Sequence, residues 1–195
     1  MKQLVSTLLL GVLLVAPLGA QTPQISTEDI AALATMRQEE KLAHDVYAAL
    51  GQKWGDRPFL NIAGAESQHM EAVRGLLVRY GKPDPIASLK DGEFKDVEFT
   101  NLYRELVKKG NASRLDALKV GAKIEELDLS DLNKRLATTK ANDIKRVFEN
   151  LARGSRNHLR AFAGAIKRAG GTYKAEHLSQ AEFDKIANSP MERGR

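Results

Sequence analysis

Four stretches of this chain repeat apolar residues at alternating steps of three and four, and each breaks the repeat with one or two polar groups. In the first, Leu33, Met36, Glu40, Ala43, Tyr47, Leu50 and Trp54 fall on one line; in the second, Ile62, Glu66, His69, Val73, Leu76 and Tyr80 do. The third runs through Leu115, Leu118, Ala122, Glu125, Leu129, Leu132 and Leu136. The fourth runs through Ile144, Phe148, Leu151, Ser155, His158, Phe162, Ala165 and Ala169. A spacing of this kind lays an apolar seam along one side of an α-helix. A seam is stable only when another covers it, so four in succession predict an all-α bundle around one core. No stretch alternates convincingly with the period of a strand.

The boundaries of the helices follow from local chemistry. Thr27 is a fitting N-cap for the first, Gly55 a stop, and Pro58 an opening for the second, which Gly81-Lys82-Pro83 terminates. Residues 82–98, rich in Pro, Gly and Asp, read as a loop. Phe99, Leu102, Tyr103, Leu106 and Val107 then predict a short amphipathic helix closing at Gly110. This connection is too long for a tight turn and reads as a crossover carrying a short helix between the second and third long helices. Ser113 caps the third helix, the fourth opens near Asn142, and Gly170-Gly171 end it. Residues 28–171 thus make one bundle domain, and the tail 172–195 holds one short helix around Gln180 to Ile186.

Ahead of the bundle, residues 21–27 are a linker, and residues 1–20, MKQLVSTLLLGVLLVAPLGA, have the layout of a secretory signal peptide. Lys2 gives the positive start, Leu4 to Val15 the apolar stretch, and Gly19-Ala20 a small-residue cleavage site. The apolar run is short for a membrane span and Pro17 interrupts its end. The expectation is a periplasmic or secreted protein. The chain has no cysteine, so disulfides, thiolate metal sites, iron–sulfur clusters and a cysteine nucleophile are excluded.

The polar residues inside the seams carry the functional signal. A buried carboxylate without a partner is very costly, so a seam that keeps one implies something to neutralise it. Glu66-Ser67-Gln68-His69 places a carboxylate and an imidazole one turn apart on the same face. Glu40, Glu125 and His158 occupy seam positions on the other three helices, with Tyr47 seven residues after Glu40 and Ser155 three before His158. Glu39 and Glu126 lie roughly 100° from their seams by ordinary helix geometry, and Glu39 is read as solvent-facing. His44 and His177 have no seam partner and are read as exposed. Taken singly, each seam residue is explained as a hydrogen-bonded core group. Together, three carboxylates and two imidazoles at mid-helix form a donor set suited to iron, manganese or zinc. Tyr47 fits a hydrogen-bond donor to one of these ligands better than a radical site.

The chain is similar to a family without an assigned activity, domain of unknown function 2202 (DUF2202), within the ferritin-like superfamily. The resemblance rests on Met36-Arg37-Gln38-Glu39-Glu40-Lys41-Leu42-Ala43, Lys53-Trp54-Gly55, Glu66-Ser67-Gln68-His69-Met70 and Asp116-Ala117-Leu118-Lys119-Val120-Gly121-Ala122. It continues through Ile124-Glu125-Glu126-Leu127-Asp128 and Gly154-Ser155-Arg156-Asn157-His158-Leu159-Arg160-Ala161-Phe162, and covers roughly residues 30–187. It implies a ferritin-like four-helix bundle with Glu40, Glu66, His69, Glu125 and His158 at metal-ligand positions. The Glu40-to-Tyr47 spacing also resembles the first helix of bacterioferritins. One position departs: a second Glu-x-x-His ending at His158 needs a glutamate where Ser155 stands. One metal and two metals therefore both fit the donor set, as do oxidation by dioxygen or peroxide, sequestration, and a purely structural ion.

A basic stripe on the outer side of the fourth helix, Lys145, Arg146, Arg153, Arg156, Arg160 and Lys167 against Glu149, points elsewhere. It fits an anionic surface, and so a non-catalytic envelope binding or scaffold protein. The plainer account is a solvated face paired with an acidic neighbour helix. Metal ions are the expected partners, with self-association into a homo-oligomer also compatible. Export makes nucleic acid a poor candidate.

Overall fold

The computed structural model describes residues 25–194; the segment read as a signal peptide, and most of the linker after it, lie outside the described residues. Six helices and no strand are present among the described residues: α1 Thr27–Trp54, α2 Arg57–Arg79, α3 Val97–Gly110, α4 Arg114–Thr138, α5 Asn142–Arg168 and α6 Gln180–Ala187. None of the helices is long and apolar enough to cross a membrane.

The ends behave as their chemistry dictates, with one shift. Ser26 rather than Thr27 caps α1, its side chain accepting from the Asp29 amide, because Thr27 has already entered the helix. Gly55 adopts φ 60° and stops α1; Ser113 caps α4 through the Asp116 amide; Ser179 and Glu182 form a reciprocal capping box on α6. The short helix of the connection starts two residues before Phe99, at Val97.

α1 and α2 form one antiparallel pair across the Gly55-Asp56 turn, and α4 and α5 a second across residues 139–141. Contacts between α1 and α4 and between α2 and α5 bring the pairs together, and α3 lies across the α1–α4 seam. The Trp54 indole N–H donates to the Gly110 carbonyl at 3.0 Å, and Arg114 Nε reaches Asp56 at 2.7 Å. Both bonds hold the start of α4 beside the end of α1. At the opposite end, the Tyr80 hydroxyl donates to Asp143 at 2.8 Å, joining the end of α2 to the start of α5. The long helices therefore run up, down, down, up. The 80–113 connection must travel the length of the molecule to restart α4 at the end where α2 began.

That crossover explains why α1 is buried nearly all round at its middle, where a surface helix shows one apolar side. The loop after α2 fastens to the polar side of α1. Arg37 donates to Asp84, Gln38 and Asp96 exchange two hydrogen bonds, and the Lys41 ammonium donates to Asp45 and to the Lys90 carbonyl. Toward the end where α1 finishes and α2 begins, the core is aromatic: the Tyr47, Phe59 and Phe162 rings stand 5.1–6.0 Å apart. Gly121 admits them, since a Cβ there would lie 2.5 Å from the Phe162 ring.

Candidate metal centre

The five seam residues converge. Glu40 comes from α1, Glu66 and His69 from α2, Glu125 from α4 and His158 from α5; the three carboxylates are fully buried, and the imidazoles are 15% and 12% exposed respectively. Glu66 lies between the two rings, with Oε2 2.7 Å from His69 Nδ1 and Oε1 2.8 Å from His158 Nδ1. His69 Nδ1 is also 3.1 Å from Glu40 Oε2, and His158 Nδ1 is 3.5 Å from Glu125 Oε1. Two triads result, Glu40/Glu66/His69 and Glu66/Glu125/His158, each with its donor atoms within 4.8 Å of one another. Glu66 belongs to both.

The alignment of these groups is as informative as their spacing. His158 Nδ1 and Glu66 Oε1 are close, yet neither has a hydrogen-bond partner, because they do not point at one another. Glu40 Oε1 and Glu125 Oε2 are likewise buried and unpartnered. Donors around one divalent ion, with bonds of about 2.0–2.2 Å, stand about 3 Å apart and aim at a common point rather than at each other. Oxygen and imidazole donors so arranged fit iron, manganese or zinc. Tyr47 orients the set by donating to Glu125 Oε1 at 2.7 Å.

Electrostatics bind the groups together in protonated form. Burial opposes charge on His69, but Glu40 and Glu66 outweigh it and raise the imidazole to about 11. Burial likewise opposes charge on His158, which Glu125 and Glu66 raise to about 10. Burial pushes Glu66 up, but the His158 and His69 imidazoliums hold it well below the usual carboxylate range. Glu40 is pushed by burial to about 7 in spite of His69, and burial with the Glu66 charge raises Glu125 in spite of His158. The partner that neutralises Glu66 is thus a pair of imidazolium protons on Nδ1, the atoms a metal would have to take over.

Three carboxylates differ from the sequence reading. Glu39 is only 9% exposed, because α3 and α4 cover that side of α1, and burial pushes it to about 8. Glu126 is fully buried and anchors the tail: it accepts from the Tyr173 hydroxyl at 2.5 Å and from the amides of Glu176, His177 and Leu178. Asp128 was not singled out at all. It is 3% exposed, its Oδ2 has no partner, and burial with the charges of Glu40, Glu125, Glu39 and Glu66 raises it well above the ordinary value. A fourth buried carboxylate, Asp128, thus stands on α4 one turn beyond Glu125, outside both donor triads. Ser155 itself donates to the Leu151 carbonyl of its own helix at 3.2 Å. The signal was present: Glu125-x-x-Asp128 repeats the spacing of Glu66-x-x-His69, but the apolar line leads on to Leu129.

Of the other expectations, His177 is exposed, whereas His44 is half-buried with Nδ1 2.9 Å from Asp45. The basic stripe is interrupted by the tail and not by an acidic helix. Arg156 and Arg160 both bind the Glu192 carboxylate, at 2.6 Å each, and Arg160 is only 8% exposed.

The chain is 48% identical over 170 residues to the uncharacterized protein MJ0754 of Methanocaldococcus jannaschii, covering 87% of this chain and 92% of that one. The crystal structure of hypothetical protein MJ0754 from Methanococcus jannaschii superposes with a TM-score of 0.85 at 45% identity, over 89% of this chain and 99% of that one. Residues 29–190, from the start of α1 to beyond α6, match the model of the uncharacterized protein domain DUF2202. The protein belongs to the DUF2202 family.

Proposed function

We propose that this is an exported ferritin-like bundle whose function is to bind one or two iron or manganese ions through Glu40, Glu66, His69, Glu125 and His158. The observation that carries the reading is Glu66, a buried carboxylate common to two donor triads, whose Oε1 stands 2.8 Å from His158 Nδ1 with neither atom hydrogen-bonded. The up-down-down-up order of the long helices, with its crossover, supports the ferritin-like assignment.

Bound iron or manganese supplies redox chemistry toward dioxygen or peroxide. The chain does the rest. His69 and His158 give up their Nδ1 protons and present those nitrogens; Glu66 offers one oxygen to each side; Tyr47 holds the rotamer of Glu125. The packed Tyr47, Phe59 and Phe162 rings exclude water from one side of the centre. The Glu192 clamp takes Arg156 and Arg160 out of the stripe on which the reading as a polyanion-binding scaffold draws.

Metal analysis of the purified mature protein after anaerobic ferrous or manganous loading tests the proposal. One or two ions per chain are expected in the parent and none in Glu66→Ala. Equal, weak loading of both would reduce the five residues to a polar core network.

A further inference from the structure

A cleft of about 210 Å³ opens beneath the start of α3, between α1 and α4, on the far side of the carboxylates from the two imidazoles. Its walls include Glu39 of α1, Glu98 and Leu102 of α3, and Leu127, Asp128 and Asp131 of α4. The acidic groups are graded in depth. Along α4 the carboxylates recur every three residues, each about 60° further round the helix, and exposure rises from 0% at Glu125 through 3% at Asp128 to 31% at Asp131. Across the cleft, Glu39 stands beside the fully buried Glu40 on α1.

Two of these groups are not accounted for by the fold. Asp128 Oδ2 and Glu39 Oε2 are buried with no hydrogen-bond partner, in residues 97% and 91% removed from solvent. Retaining such groups is destabilising unless something visits them. Two cations oppose them: Arg135 Nη2 lies 3.6 Å from Glu39 Oε1, and Lys134 Nζ donates to Asp131 at 2.8 Å. Four carboxyl groups, Glu98 among them, line the cleft beside these two cations. Their oxygens do not gather into a single donor cluster of the kind found at the centre, as suits stations along a path better than one tight site.

We propose that this cleft is the route by which a divalent cation reaches the buried centre, passing from Asp131 to Glu39 to Asp128 and then to Glu40 and Glu125. The inference rests on the metal-binding reading above. A carboxylate-lined passage of low dielectric concentrates cations and speeds their entry without changing where they finally rest. The competing path is the α2–α5 side, where the edges of His69 and His158 reach solvent.

The test is the rate of loading with Co²⁺, followed by visible absorption after rapid mixing with the metal-free full-length mature protein. Asp131→Asn, Glu39→Gln and their double variant should load at least ~10-fold more slowly while reaching the parent's final stoichiometry. Leu102→Trp, which fills the cleft without altering charge, should slow loading too, and Glu149→Gln on the exposed side of α5 should not. Parental rates in Asp131→Asn, Glu39→Gln and Leu102→Trp would overturn the route and assign entry to the histidine side, with the metal centre intact. A parent that takes up no Co²⁺, ferrous or manganous ion would overturn the metal reading itself, and the route with it.

Discussion

Gly154 on α5 has no seam position and no polar group, yet it sets where His69 can stand. A Cβ at residue 154 would fall 2.5 Å from His69 Cε1 and 2.6 Å from Nε2, so the outer edge of the imidazole lies directly over the bare α-carbon. With Nδ1 turned inward to Glu40 and Glu66, the ring has no room to retreat without leaving them. Gly154→Ala is therefore expected to weaken metal binding by roughly 10–100-fold, the scale at which losing the support of a ligand acts. The helix itself should be preserved, because alanine is the better helix former. Calorimetric metal titration beside circular dichroism checks this; parental affinity would mean that His69 does not hold the metal. At the same scale, the difference between Glu39 read from sequence and Glu39 in the fold is instructive. Its position on the helix was correct, but whether an off-seam face meets water depends on the neighbours, and α3 was not placed in advance.

At the scale of elements, the four seams and their stops located the long helices to within a residue or two, because each boundary had a local cause at Gly55, Pro58, Ser113 or Gly170. The five converging residues of the candidate centre were legible for a related reason: an ionisable group in an apolar line is conspicuous. Asp128 and Glu126 were not, since both sit beside the line and owe their burial to contacts from elsewhere in the chain. Glu126 shows how an element can depend on one such residue. The tail hangs Tyr173 and three consecutive amides on that carboxylate, beside the Lys123–Glu176 ion pair, after which Phe183 packs into the core. Glu126→Ala should cost about 2–4 kcal/mol in denaturant unfolding, as buried donors lose their acceptor. Amide exchange should accelerate first in residues 173–187. Unchanged exchange there would show that the tail is held by its apolar contacts alone.

Around the centre, most of the buried acid–base groups pull stability in one direction. Glu39 and Glu40, raised from 4.5 to about 8 and about 7, and Glu125 and Asp128, raised as well, favour the folded state while protonated. Their contribution is complete below the unfolded carboxylate values and is lost as pH rises through the folded ones. His69 and His158, raised from 6.5 to about 11 and about 10, contribute fully below 6.5 and lose that contribution as pH climbs further. Glu66, held low, works the other way: its contribution is complete above 4.5 and is lost as pH falls through its lower folded value. The metal-free protein should thus be most stable near pH 5 and melt several degrees lower near pH 8. Bound metal should stabilise more at the higher pH, where fewer protons compete for its ligands. Chelated samples melting alike at both values would contradict this linkage. The central claim, that these protonated carboxylates and imidazoles are metal ligands, is tested most directly by anomalous scattering from crystals grown with iron or manganese. The account predicts a peak about 2.0–2.3 Å from a Glu66 oxygen and from Nδ1 of His69 or His158. A map with no peak there, and Glu66 still in contact with both imidazoles, would contradict it.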